Sequence, residues 1–185
     1  MRESQKRRRA QDRPGPYRWA VQVFFLAIAL SAALSLASET SLGGAGAAAA
    51  AAVLAVFIGL GILFDIIGVA VTAADPRPFH SMAAHKAPGA REALMLLRNA
   101  GRVSSVCNDV VGDICGIVSG TTTAVIVVRL QEALGLPESV ALSVAVTALV
   151  SGLTIGGKAL GKTVALNKST SVVYWAGRFL HLFRR

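Results

Sequence analysis

The sequence predicts an all-α membrane protein with about four transmembrane helices, a cytoplasmic juxtamembrane helix pair and a C-terminal amphipathic helix. Of the 185 residues, 54% are hydrophobic, and several apolar runs approach or exceed the ~20 residues that a helix needs to span the hydrocarbon core. The net charge of +9 does not indicate nucleic-acid binding, because the basic residues lie between apolar runs without an RNA-binding or zinc-finger motif. We therefore expect a lipid bilayer, and no nucleic acid, as a partner.

The N-terminal part combines a basic segment with a first apolar run. Residues 1–18 hold seven Lys or Arg and two Pro, which predicts a disordered basic cytoplasmic leader. The run over 19–36 exceeds the roughly 7–15 residues of a signal h-region. We predict an extra transmembrane helix or uncleaved signal anchor over 19–37, and a cleaved signal peptide is the alternative.

A second apolar run ends near Thr72, where Pro76 and Pro78 stop the helix. The basic loop that follows predicts two short helices over 79–86 and 88–99, lying against the inner membrane surface. The central span, 103–130, is apolar but begins with a group of polar side chains. An acid near the bilayer centre costs roughly 2.5–3.5 kcal/mol on insertion scales, so such acids usually face a bundle interior or a water-filled cavity.

These polar side chains suggest a cation site. Asp109 and Asp113 are four residues apart and share a helical face, and Asp65 in the second span shares one with small residues. Oxygen ligands without thiolate or imidazole favour Mg²⁺ or Ca²⁺ over zinc or copper. The predicted metal ligands are Asp65, Asn108, Asp109 and Asp113. A polar packing seam with protonated or hydrogen-bonded acids is the alternative.

Small and hydroxyl residues recur at helical spacing in three spans. Glycines at such spacing let helices approach closely; the predicted packing glycines are Gly61, Gly68, Gly112, Gly116 and Gly120. The helix from Ser139 to about Gly157 carries a polar stripe, whose Ser and Thr either line a route or bond back to the helix backbone. The predicted pathway residues are Ser104, Ser105, Thr147, Ser151, Thr154 and Lys158.

Positive charge predicts the orientation. With four spans, the leader, the basic loop and the C-terminal tail lie on one side and hold 18 of the 19 basic residues; only Arg129 lies near the other side. The positive-inside rule then places both termini in the cytoplasm of a multi-pass protein of the cell membrane. In the tail, Trp175, Phe179 and Phe183 line one face of an amphipathic helix.

The order of these segments resembles the transmembrane domain of the CorC and cyclin-M family of magnesium transporters, without its cytoplasmic CBS regulatory pair. The similarity covers roughly 52–183 and assigns residues 46–185 to such a domain. Residues 83–97 look like the family's juxtamembrane pair, 106–114 resemble its Asn motif with Asn108 at the Asn position, and 157–166 are similar to its Gly-Glu-x-x-Pro-Lys segment.

Three positions depart from the family pattern. Lys158 stands where the family carries Glu, Gly161 stands where it carries Pro, and Asp65 to Gly68 replace its Ser-rich motif. The resemblance implies a homodimer that binds or moves Mg²⁺. The alternative is a non-transporting membrane module that scaffolds or regulates a separate protein, which Lys158 favours because a fixed cation repels Mg²⁺. A salt bridge from Lys158 to Asp109 or Asp113 is the other interpretation of this lysine. We expect no enzyme, since no nucleophile–base pair, zinc signature or phosphate-binding loop is visible.

Overall fold

The computed structural model describes residues 16–42, 46–135, 137 and 139–183, and every regular element in these ranges is helical. The predicted all-α class is confirmed, with four helices long and apolar enough to cross a membrane. The elements are α1 (Pro16–Leu42), α2 (Ala47–Ala73), α3 (Arg77–Ala84), α4 (Ala90–Arg98), α5 (Ala100–Ser105), the π-helical segment (Val106–Gly112), α6 (Asp113–Leu134), α7 (Val140–Asn167) and α8 (Ser169–Phe183). Helix α1 begins inside the predicted leader, most of which lies outside the described residues.

Helix α2 is the centre of the bundle, and the π-helical segment, α6, α7 and α8 all pack against it. Phe57 of α2 forms an apolar core with Val110, Ile114 and Val118. Helix α1 adds a stripe of apolar side chains at helical spacing to this core; they are Val23, Ala27, Leu30 and Leu34. The extra N-terminal helix is therefore a packed part of the bundle.

The connection after α2 turns at the predicted prolines. Asp75 Oδ1 accepts a hydrogen bond from the backbone N–H of Arg77 at 2.9 Å, at the first residue of α3. Pro78 lies in the first turn of α3, where its missing N–H costs no helical hydrogen bond. The predicted pair of short helices is present as α3 and α4, and Phe79 anchors α3 by burying its ring completely.

Helix α8 packs directly against α4, with almost no space between the two backbones. A Cβ atom on Gly177 would come within 2.5 Å of Gly89 O and 2.8 Å of the backbone nitrogen of Ala93. Gly89 itself has φ +83°, a left-handed conformation that favours glycine. His181 Nδ1 lies 3.1 Å from Glu92 Oε1 and adds a polar contact to the same seam.

The outer surface of the bundle is apolar. Most long aliphatic side chains of α7 are exposed, for example Leu149, Leu153 and Ile155. The phenylalanines of α1, Phe24 and Phe25, are exposed as well. Apolar surface on this scale is typical of a helix that faces lipid. Helix α7 continues to Asn167, ten residues beyond its predicted end, because Gly157 and Gly161 pack against α2 instead of ending the helix.

Candidate functional site

Asp65 is an acid buried inside the bundle, with 6% of its surface exposed. Its Oδ2 atom is buried and has no hydrogen-bond partner among the described residues. Burying a carboxylate without a partner is costly, and intramembrane acids usually mark functional positions. Asp65 is therefore the residue around which the site is built.

The neighbours of Asp65 on α2 show what its side chain faces. Gly61 and Gly68 lie one turn to either side on the same helical face, and both are buried. A Cβ atom on Gly61 would lie 3.3 Å from Cys115 Cβ, and one on Gly68 would overlap the side-chain amide of Asn108. Asp65 thus faces the stretch between Asn108 and Cys115, most of which belongs to the π-helical segment.

The π-helical segment is the feature of this site that the sequence did not predict. It spans Val106–Gly112 within a span that is otherwise α-helical. Such a widened turn shifts the side chains that follow it around the helix axis, and π-helical turns are frequent at functional sites. Here it brings Asn108 and Gly112 against α2, whereas Gly116 and Gly120, further along the same ridge, are exposed and have open space around them.

Asn108 supplies a second oxygen without a donor. Its Nδ2 donates to Ser104 Oγ at 3.4 Å, which fixes the orientation of the amide. Its Oδ1 is buried and has no hydrogen-bond partner in the described part of the chain. The structure therefore holds Asn108, through its bond to Ser104, against the face of α2 that carries Asp65. A bound cation would satisfy the two buried oxygens that lack a donor among the described residues.

The other two predicted ligands lie elsewhere. Asp109 is exposed, and its Oδ2 accepts a hydrogen bond from Ser105 Oγ at 2.8 Å. Asp113 is exposed at the start of α6. Within the described ranges, no three His, Cys, Asp or Glu side chains gather around one point. A site at Asp65 would accordingly hold one carboxylate and be completed by amide and hydroxyl oxygens and by water.

Of the predicted pathway residues on α7, Lys158 extends toward Gly112 of the π-helical segment. Its Nζ lies 3.8 Å from the position of a Cβ atom on Gly112, and the residue is half-buried. The Thr154 hydroxyl donates a hydrogen bond to Val150 O at 2.8 Å. This is the bond back to the helix backbone that was the alternative to lining a route. Thr147 and Ser151 lie on the exposed side of α7.

A group of buried hydroxyls between α1 and α6 was not singled out from the sequence. Ser38 Oγ lies 3.2 Å from Thr122 Oγ1, and both residues are almost fully buried. Thr123 is buried beside them and donates to Ser119 O, while Ser119 Oγ has no partner among the described residues. The sequence does carry a signal for this group of hydroxyls, because the three consecutive threonines of α6 form a polar run inside an apolar span.

No family model, curated protein or solved structure matches the chain. Fold and site together define the class as a helical membrane protein with a buried carboxylate facing a π-helical turn.

Proposed function

We propose that this protein binds a divalent cation, Mg²⁺, inside its helical bundle and moves it across the cell membrane. The observation that carries the proposal is the pair of buried oxygens, Asp65 Oδ2 and Asn108 Oδ1, that lack a donor within the described residues. Carboxylate, amide and hydroxyl oxygens are hard ligands, and Mg²⁺ commonly uses one or two carboxylates and retains several waters. The CorC and cyclin-M resemblance supports the same assignment through Asn108.

The proposal places both termini and the loop of α3 and α4 in the cytoplasm. It is supported by the basic residues of the leader, the loop and the tail, which number 18 when Lys158 and Lys162 in the second half of α7 are included. Arg102 also stacks on the ring of Trp19, 5.1 Å from its centroid, at one end of the bundle. Tryptophan and arginine at one level are typical of a membrane–water interface. Asp65, Asn108 and Lys158 then lie in the cytoplasmic halves of their spans.

We further propose a homodimer that covers the exposed side of α6. Asp109, Asp113, Gly116 and Gly120 are all exposed in the single chain. Acids at membrane depth are expensive when they face lipid, and they normally face protein or a water-filled cavity. A second copy packed on the glycines would remove these acids from lipid. Asp109 and Asp113 would then supply their carboxylates at the subunit interface, at a place separate from Asp65.

A second candidate function is a non-transporting module that regulates or scaffolds another membrane protein. Lys158 favours it, since its ammonium group lies beside Gly112 of the π-helical segment and would repel a cation bound near that segment. In that case a separate regulatory protein, rather than a second copy, would cover the exposed side of α6.

Thermal melting of the purified full chain in detergent tests the cation. A ligand that binds only the native state adds RT ln(1 + [L]/Kd), about 1.4 kcal/mol at ten times Kd, and raises the melting temperature by about 3–6 °C. We expect this shift with Mg²⁺ in wild type, its loss in Asp65→Asn, and its retention in Asp75→Asn, which alters an exposed loop acid.

Three outcomes would decide against parts of the proposal. Absence of a shift up to tens of millimolar Mg²⁺, Ca²⁺ or Mn²⁺, with no cation flux into vesicles containing the protein, would leave the interaction module. A shift that survives Asp65→Asn but not Asp113→Asn would move the site to the exposed acids. A shift reproduced by NaCl of equal ionic strength would show screening instead of binding.

A further inference from the structure

Lys158 and Asp65 lie on two neighbouring helices, each next to a residue through which α7 and α2 pack against each other. Helix α7 approaches α2 closely, because Gly161 lies where a Cβ atom would come within 2.8 Å of Ile66 Cγ1, and Gly157 packs in the same way on Ile62. This contact directs the next residue, Lys158, past α2 toward Gly112, whose carbonyl oxygen lies 4.0 Å from the Cβ position of Gly61. Gly61 is one turn from Asp65 on the same face.

Within the described ranges, neither charge has a counter-charge at bonding distance. Among the described residues, no carboxylate lies within 4.0 Å of Lys158 Nζ, and Asp65 Oδ2 has no donor. Each group is costly to hold in apolar surroundings alone, and an opposite charge offsets that cost. The four-carbon stem of lysine is flexible, so rotation about its side-chain bonds moves the ammonium group without moving α7.

We infer that Lys158 is the intramolecular counter-ion of Asp65 in the cation-free protein, and that it leaves the carboxylate when a divalent cation binds. Lys158 then sets the cation affinity by competing for the same oxygens. The inference rests on the proposed cation site. It also resolves the conflict between a fixed positive charge and cation binding, because the ammonium group occupies the site only while the cation is absent.

Competition of this kind favours divalent cations. The ammonium group carries one charge, and a monovalent cation that replaced it would bring no additional attraction to Asp65, whereas Mg²⁺ brings twice the charge. The ammonium group is also tethered to the same chain as Asp65, which gives it a high effective concentration. Lys158 would therefore act as a filter that Na⁺ and K⁺ do not displace.

The first test needs no cation. Asp65→Asn, Lys158→Met and the double variant are melted in a chelating buffer, with Lys158→Gln in parallel so that a folding failure of one variant does not decide the result. We expect Lys158→Met to lower the melting temperature by about 5 °C or more when Asp65 is present, and to raise it in the Asp65→Asn background, where Lys158 is a half-buried charge without its partner. Equal effects in the two backgrounds would overturn the pairing.

The second test measures the competition. Removing the competitor in Lys158→Met should lower the apparent Kd for Mg²⁺ about ten-fold, or about 1.4 kcal/mol. Lys162→Met, which removes an exposed charge one turn further along α7, should leave that Kd unchanged and controls for net charge. An unchanged or weaker affinity in Lys158→Met would overturn the inference.

The two tests separate this inference from the proposed function. One outcome is that Lys158→Met changes the melting temperature in opposite directions in the two backgrounds while no variant responds to Mg²⁺. Asp65 and Lys158 then form a structural pair, and both the cation proposal and the displacement step are refuted. If wild type responds to Mg²⁺ while the melting effects are additive and the Lys158→Met affinity is unchanged, the cation site stands and the role of Lys158 is refuted.

Discussion

Gly68 of α2 lies directly against the side chain of Asn108, so that a Cβ atom at Gly68 would come within 2.8 Å of Asn108 Cγ. The small residue is thus what allows the Asn108 amide to lie against the face of α2 that carries Asp65. Gly68→Ala should push that amide away from α2 and disturb the pair of orphaned oxygens. We expect a loss of stability of about 1–3 kcal/mol, typical of overpacking, together with a weaker Mg²⁺ shift, both measured by thermal melting.

Gly59→Ala is the matched control for this prediction. Gly59 lies in the same helix, is exposed, and has nothing within 4 Å of its Cβ position. Alanine is favoured over glycine in a helix interior by roughly 0.5–1 kcal/mol in water, so this variant should be neutral or slightly more stable. A Gly68→Ala protein that melts like Gly59→Ala and keeps its Mg²⁺ response would show that the contact with Asn108 does not matter.

The spans and the short helices could be predicted because their signals are local. Pro76 and Pro78 end α2 whatever surrounds them, and Pro88 with Gly89 separates α3 from α4 by backbone chemistry alone. The helical face shared by Gly61, Asp65 and Gly68 also follows from spacing, and all three residues are buried. These features therefore follow from the local sequence alone.

The geometry around Asp65 depends on contacts between distant segments and could not be predicted. The π-helical turn has no sequence code of its own: Val106–Gly112 contains no proline and continues an apolar span. The extra residue of the π-helical turn makes Gly112 and Gly116 point to different sides of the helix. A regular α-helical projection would place both on one face. The approach of Lys158 depends likewise on how α7 packs against Ile62 and Ile66.

The seam between α4 and α8 predicts a position that tolerates no side chain. A Cβ atom on Gly177 would meet the backbone atoms Gly89 O and Ala93 N, which cannot rotate away. Gly177→Ala should therefore lift α8 off α4 and cost about 1–3 kcal/mol or more. Limited proteolysis should then cut before the C-terminal helix faster than in wild type.

Gly156→Ala is the control for Gly177→Ala, since Gly156 is exposed and has open space at its Cβ position. It should leave the cleavage rate unchanged. Equal cleavage of wild type and Gly177→Ala would mean that α8 adjusts its position on α4 without detaching.

The charge asymmetry predicts which loops can be reached from outside the cell. Gly44→Cys, in a short segment without Lys or Arg that lies outside the described residues, should react with a membrane-impermeant thiol reagent in intact cells. Lys86→Cys, in the loop between α3 and α4, should react only after the membrane is opened. The native Cys107 and Cys115 are buried, which keeps the background low. The reverse labelling pattern would invert the proposed orientation.

The proposed homodimer makes a prediction about the exposed glycines of α6. Gly116 and Gly120 are exposed and have nothing within 4 Å of their Cβ positions, so we expect the single chain to accommodate a larger side chain there. Gly116→Leu should therefore fold as well as wild type and yet block the close approach of a second α6, reducing the yield of chemically crosslinked dimer several-fold. Gly152→Leu adds the same bulk at an equally open position on α7 and should leave the dimer intact. Loss of dimer in Gly152→Leu alone would place the interface on α7, and wild-type crosslinking in both variants would remove the glycine ridge from it.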